Sequence, residues 1–239
     1  SEIFEDDLTN TETFTHIPSV GAYSRHQNFL ILDKENILRR YQNFPPTFET
    51  TTTSTFADSL LNDIHYAAGK WVAVGDEGAI LISDEVDASI WKRIPEDNVS
   101  GVITNFQSVF YGDGTWIAVG KHGVNDGAIY TSTDAENWNQ IVGLPITFHF
   151  FGVCHNTLSG GSSVWLVVGR SGRVLRSTNN GSTWTLVASV NAGTNLEFID
   201  VAFGANCWIV AEGFGDFDPA STAGSAARRV LRSTDDGAT

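Results

Sequence analysis

Methionine is absent, lysine occurs four times, and only two cysteines appear in 239 residues. Fourteen basic side chains stand against 28 acidic ones, a formal net charge of −14. Binding phosphate needs clustered cations, so this deficit, with no basic block, argues against nucleic acid as a partner. It argues equally against an anionic membrane surface. No apolar run approaches the ~18 residues that span a bilayer, so membrane insertion is not expected. The six histidines show no His-x-His or HExxH spacing, and two cysteines without histidines at ligand spacing make no zinc site. Neither a metal nor a cofactor is expected. Cys154 and Cys207 each lie in an apolar, strand-like setting and read as reduced core thiols; a disulfide is not indicated. The start, "SEIFEDDLTNTETF", is acidic and lacks the basic-then-apolar order of a signal peptide, although a removed leader stays open. Residues 1–10 read as an acidic arm that stays disordered or docks on a partner. No convincing amphipathic helix is present.

A repeat is present. "KWVAVGDEGAILIS", "TWIAVGKHGVNDGAIYTS", "VWLVVGRSGRVLRS" and "CWIVAEGFG…RRVLRS" each run from an aromatic residue through an alternating strand and a turn into a second strand ending on Ser. "NFLILDKENILRRY" is a weaker copy with Phe29 in the tryptophan's place. Phe29, Trp71, Trp116, Trp165 and Trp208 stand 42, 45, 49 and 43 residues apart. A period in the forties with several short strands per unit predicts an all-β protein, a β-propeller of four-stranded blades. In one unit the strands fall at Phe106–Tyr111 (a, innermost), Trp116–Gly120 (b), Ala128–Ser132 (c) and Trp138–Ile141 (d), with Gly, Asp and Asn supplying the turns.

The c–d turns share a motif. "STNNGSTW" (Ser177, Asn179, Gly181, Thr183, Trp184) resembles the Asp-box, the bacterial neuraminidase repeat, with Asn179 in the aspartate's place. "STDAENW" (Ser132, Asp134, Trp138) is a shortened form, and the chain stops on "RSTDDGAT" (Ser233, Asp235, Gly237). The resemblance implies a structural turn: the Asp or Asn side chain accepts backbone N–H bonds, Gly allows positive φ, and Trp packs between blades. After each box come an aromatic, two residues and Ile or Val, as in "WKRIP" and "WTLVA". "TFTHIP" near the N-terminus matches that pattern, so 13–17 reads as the fourth strand of the last blade, closing five blades within a single domain, 11–239. A share in a propeller of six to eight blades is the alternative.

The repeat is similar to non-catalytic Asp-box propellers of bacteria and phages, among them the photosystem II assembly-factor propellers. The residues that match build blades, so the resemblance implies the fold more than a role. Sialidases also carry Asp-boxes, but the arginines here lie near strand c and do not converge, and "RIP" at Arg93–Pro95 is a strand-d ending. Another type of glycoside hydrolase needs paired carboxylates at the inner strands. Asp63 and Asp200 occupy one repeat position, shared with Gly21, Ser108 and Gly152, and repeated aspartates of that kind read as blade-building residues. No GxSxG elbow occurs.

In propellers the d–a and b–c loops share one face. That face carries "KHGVNDG" with Asp126, "LPITFHFF" with Phe148, and the longest insertion, 213–227, with Phe214, Asp216, Phe217 and Asp218. These side chains suit stacking on a sugar or holding a cation, and a solvated loop is the plainer reading. The tract 44–56, rich in threonine and proline, reads as a d-like strand and connection. The leading expectation is a non-enzymatic binding module, an accessory structural or receptor-binding part of a phage virion or similar assembly, whose partner is a protein or a cell-surface glycan. An assembly chaperone resembling the photosystem II factors is the runner-up, and a sialidase-like hydrolase stands third. The composition suits a virion or extracellular setting, with the cytoplasm as the alternative.

Overall fold

The computed structural model describes residues 28–32, 38–42, 47–50, 60–85, 88, 90–102, 104–123, 126–146, 148–157, 161–187, 197–213 and 230–238. They form five sheets in chain order. The first contains β1 (Asn28–Leu32), β2 (Leu38–Gln42) and β3 (Thr47–Thr50), and the second β4 (Leu61–Ala67), β5 (Lys70–Gly75), β6 (Ile80–Ser83) and β7 (Lys92–Arg93). The third is built from β8 (Val99–Ser100), β9 (Asn105–Gly112), β10 (Thr115–His122), β11 (Asp126–Ser132) and β12 (Trp138–Gln140). The fourth is β13 (Phe150–Thr157), β14 (Ser163–Gly169), β15 (Arg173–Ser177) and β16 (Thr185–Leu186). The fifth is β17 (Glu197–Gly204), β18 (Cys207–Gly213) and β19 (Val230–Ser233). The inner strands β4, β9, β13 and β17 pack side by side in that order, and β1 lies against β4. The architecture is a β-propeller.

Strands b and c of the third unit run farther than their sequence pattern predicts, because Lys121 and His122 pair with Gly127 and Asp126 and narrow the loop to a hairpin. β3 falls inside the 44–56 tract and pairs with β2, as a fourth strand should. The expected closing strand, Thr13–Ile17, the acidic arm, Gly21 and the insertion with Phe214, Asp216, Phe217 and Asp218 lie outside the described residues.

Alternation explains how the sheets stack, since successive strand residues point to opposite faces. Val72 and Val74 of β5 pack with Trp116, Tyr130 and Trp138 of the third sheet. Ile117 and Val119, one residue out of phase with Trp116, pack instead on Phe150, Trp165 and Trp184 of the fourth. Leu166 and Val168 then meet Val201 and Trp208 of the fifth. Each leading tryptophan also meets an aromatic ring across its strand pair. The centroids of Tyr66–Trp71, Tyr111–Trp116, His155–Trp165 and Phe203–Trp208 lie 4.7, 4.9, 4.6 and 5.0 Å apart. Such cross-strand pairs hold register beyond what area burial supplies.

Every inner strand of the second to fifth sheets carries a β-bulge at one repeat position. The ladder skips a residue between Leu61 and Asp63, Phe106 and Ser108, Phe150 and Gly152, and Phe198 and Asp200. The strand-b glycines of the motif answer to this geometry. A Cβ on Gly75, Gly120 or Gly169 would collide with the carbonyl oxygen of Leu60, Asn105 or His149, where the inner strand begins. Cys154 and Cys207 are buried free thiols, as expected from their apolar settings.

Candidate functional site

The c–d turns are held by their own side chains. In the third sheet Asp134 Oδ1 accepts the backbone N–H groups of Glu136 and Asn137, both at 2.8 Å, and the Ser132 hydroxyl at 2.9 Å. The Asn137 side chain donates to Asp134 Oδ2 at 2.8 Å. Hydrogen bonds to the charged form, above all from the Asn137 backbone, hold the Asp134 carboxyl well below the usual carboxylate range. In the fourth sheet Asn179 does the same work: its Oδ1 accepts Thr183 N at 2.9 Å and the Ser177 hydroxyl at 3.0 Å. Gly181 sits at φ +78°, and Trp138 and Trp184 donate their indole N–H to the carbonyls of Ala135 and Gly181. In the last turn Ser233 donates to Asp235 at 2.6 Å and accepts Gly237 N at 3.1 Å.

Each turn also reaches the sheet before it. Asn180 Nδ2 donates to the Asp113 carbonyl at 3.0 Å and to Thr115 Oγ1 at 2.7 Å, while its Oδ1 accepts Trp165 Nε1 at 3.0 Å. Arg176 Nε donates to the Asp236 carbonyl at 2.8 Å. Lys70 and Lys92 of the second sheet both approach Glu136 of the third.

At the inner strands the repeated carboxylate is bound up between sheets. Asp63 Oδ2 accepts the Ser108 hydroxyl and Val109 N, both at 2.9 Å, and Oδ1 accepts Ile64 N at 2.8 Å. Burial pushes the Asp63 carboxyl up to about 6; those three bonds pull it down, and the charge of Asp200 adds to the rise. Asp200 is raised as well by burial, against its bond from Val201 N. The charge of Asp200 therefore reaches Asp63, and a Cβ built on Gly152 would stand 3.0 Å from the Asp200 Cα.

Of the candidate ligand residues, Asp126 is exposed on β11, its Cα paired with His122. Phe148 corrects the loop reading. It is 6% exposed, packs on Phe150 with centroids 4.9 Å apart, and lies under the Arg173 guanidinium at 5.9 Å. An aromatic next to the first inner-strand residue is drawn into the core between sheets, so it offers no surface to a ligand.

A second cluster joins His155, Ser163 and Asp113. Ser163 Oγ lies 2.9 Å and Asp113 Oδ2 3.4 Å from His155 Nε2. Both contacts fall on one nitrogen, whereas a nucleophilic triad uses the two ring nitrogens separately, so this cluster has the wrong geometry for that chemistry.

One cleft, of about 350 Å³, opens between the turns of the third and fourth sheets. β11 and β12 form one wall, with Thr131, Thr133, Asn139 and Ile141, and Gly181 and Ser182 form the other. Thr131 and Asn139 are direct ladder partners, so they share a face, and Ile141 follows Asn139 by two residues on the same side. The Gly181 position stands 3.6 Å from Thr131 Cγ2 for a built Cβ, which places the opposing turn against that face. The turn motif supplies Ser132, Asp134 and Gly181 to the cleft's lining, but nothing in the motif marks the space between two of its copies. The lining residues come from two turns of different blades.

No family model matches the chain, and no curated protein matches it in sequence. Solved structures do. It resembles YCF48 bound to D1 peptide with a TM-score of 0.57 at 16% identity, over 82% of this chain and 62% of that one. YCF48 from Cyanidioschyzon merolae gives 0.53 at 13% identity, over 90% and 72%. The computationally designed Ika8 protein gives 0.53 at 10% identity, over 79% and 54%. The chain thus spans less than two thirds of the length of the peptide-bound YCF48 and of Ika8. At these identities the likeness establishes the fold, a β-propeller.

Proposed function

We propose that this chain is a non-catalytic propeller that holds a protein partner within a larger assembly. The observation that carries the reading is the state of Asp63. A glycosidase of this fold needs inner carboxylates with oxygens open to a sugar and a water. Both oxygens of Asp63 are instead occupied by groups of its own and the neighbouring sheet. The YCF48 structure with a bound peptide supports a protein ligand over a small substrate. The virion or extracellular setting rests on composition, with four lysines and no methionine.

The test uses the full chain on an array of diverse synthetic peptides, beside assays with chromogenic glycosides and sialosides. Selective peptide capture without turnover is expected. Glycoside hydrolysis lost in Asp63→Asn would overturn the reading, as would a blank peptide array.

A further inference from the structure

The cleft between the third and fourth sheets separates into side chains the fold uses and side chains it leaves available. Asn137 and Asn180 are engaged at both ends of their amides. Ser132 serves its own turn. Thr131, Thr133, Asn139 and Ser182 make no side-chain hydrogen bond among the described residues. Yet they line the cleft, and Asn139 is exposed. An amide with a free donor and a free acceptor, beside three free hydroxyls, matches the alternating N–H and C=O groups of an extended backbone. The spacing of Asn139 and Ile141 on one strand face follows the period of such a chain, and half-buried Ile141 gives it an apolar footing.

Charge selects among peptides. Asp134 Oδ1 serves its own turn, while Oδ2 takes the Asn137 side chain alone among the described residues; the carboxylate borders the cleft and meets no cation among them, in a chain of net charge −14. Strand addition is excluded at Trp138 and Asn139, because β8 already pairs there in parallel, Val99 against Trp138 and Ser100 against Asn139. Recognition therefore runs through the wall of the cleft. A sugar is the poorer fit: saccharides stack on exposed rings, and the tryptophans of both turns, Trp138 and Trp184, are buried. At about 350 Å³ the cleft lies at the small end of ligand sites, which run ~300–1,000 Å³, so it holds a short segment.

We propose that this cleft binds a short, extended, positively charged polypeptide segment, through Asn139 and Thr131 to its backbone and Asp134 to a basic side chain. The proposal rests on the protein-binding reading above and names its site and partner chemistry.

The experiment measures fluorescence anisotropy of a labelled lysine–serine alternating peptide, and of its glutamate–serine counterpart, with the full chain. The wild type should bind the lysine peptide and not the glutamate one, less tightly as salt rises. Thr131→Val with Asn139→Ala should weaken binding about three- to tenfold for each hydrogen bond lost. Its melting temperature should be unchanged, since neither side chain hydrogen-bonds among the described residues. Binding kept in full by that variant overturns the cleft and leaves the protein-binding reading standing. Equal binding of both peptides, no binding of either, or a glycan captured by the wild type and lost by the variant also overturns it. An array blank for all peptides overturns the reading itself.

Discussion

Asp63, on the innermost strand of the second sheet, accepts the hydroxyl of Ser108 on the innermost strand of the third at 2.9 Å. The same oxygen takes Val109 N, so one carboxylate ties two neighbouring sheets at the inner strands.

That placement predicts a pH effect with a definite sign. The Asp63 carboxyl moves from the ordinary 3.8 to about 6 in the fold. Between those values the folded chain holds a proton that the unfolded chain has released. Its contribution therefore declines as pH rises from about 4 to about 6, with the cost of the buried charge fully present above that window. The difference is worth about 2–3 kcal/mol. His65, two residues on, acts oppositely: burial lowers it to about 4, so acid favours the unfolded chain, which binds the proton first. Urea midpoints of wild type and Asp63→Asn at about pH 4.5 and about pH 7.5, which span most of that window, separate the two because His65 is common to both chains. Wild type should lose ground to the variant on going to the higher pH; a constant difference refutes the assignment.

Trp116 is 1% exposed, meets His65 edge-on and packs against Tyr111 at a tilt. Trp116→Ala should cost about 3–5 kcal/mol by loss of buried surface and the cavity left behind. Equilibrium unfolding in urea measures it. A loss under about 1 kcal/mol would mean that the sheets repack without the ring.

The two c–d turns use Asp and Asn alike at Oδ1, since Asn179 Oδ1 repeats the bonds of Asp134 Oδ1, but Asp134 Oδ2 accepts the Asn137 side chain where Asn179 Nδ2 donates to Thr183. Asp134→Asn should therefore cost about 1 kcal/mol for the Oδ2 bond and the charge, and Asp134→Ala more, for the orphaned N–H groups as well. Acid distinguishes them further. The lowered carboxyl stabilises the fold above the ordinary 3.8 and loses that contribution as pH falls through its folded value, so only the wild type shows this acid sensitivity. Thermal melts from pH 6 down to about 2 supply the check.

Burial pushes the Cys154 thiol up to about 11, and Cys207 is also buried. Alkylation of both with iodoacetamide at neutral pH should be slow in the native chain and fast in denaturant, because only the thiolate reacts. Mass spectrometry over time reads this, and rapid native labelling of Cys154 would contradict its place in the core.

Legibility followed the range of the interactions. The shared position of Asp63, Ser108, Gly152 and Asp200 can be read from counting along the repeat, and the bulges confirm that one register. The bulges themselves leave no mark, since an extra residue in an apolar strand looks like any other. β8 reads as loop because two residues, Val99 and Ser100, carry no period. Asn180 fills an unconstrained position of the turn motif, and its partner Thr115 lies 65 residues away.

By itself the sequence determined the repeat, the strands and the turn chemistry. Alternation, glycine at tight positions and Asp or Asn beside a serine act over a few residues and recur at each unit. Only the tertiary structure decided that Phe148 is core, that both oxygens of Asp63 are taken, and that Thr131 and Asn139 face an open cleft without a hydrogen-bond partner among the described residues. Those outcomes depend on which neighbouring sheet arrives beside a side chain, and the chain encodes that meeting through packing between units rather than within any one of them.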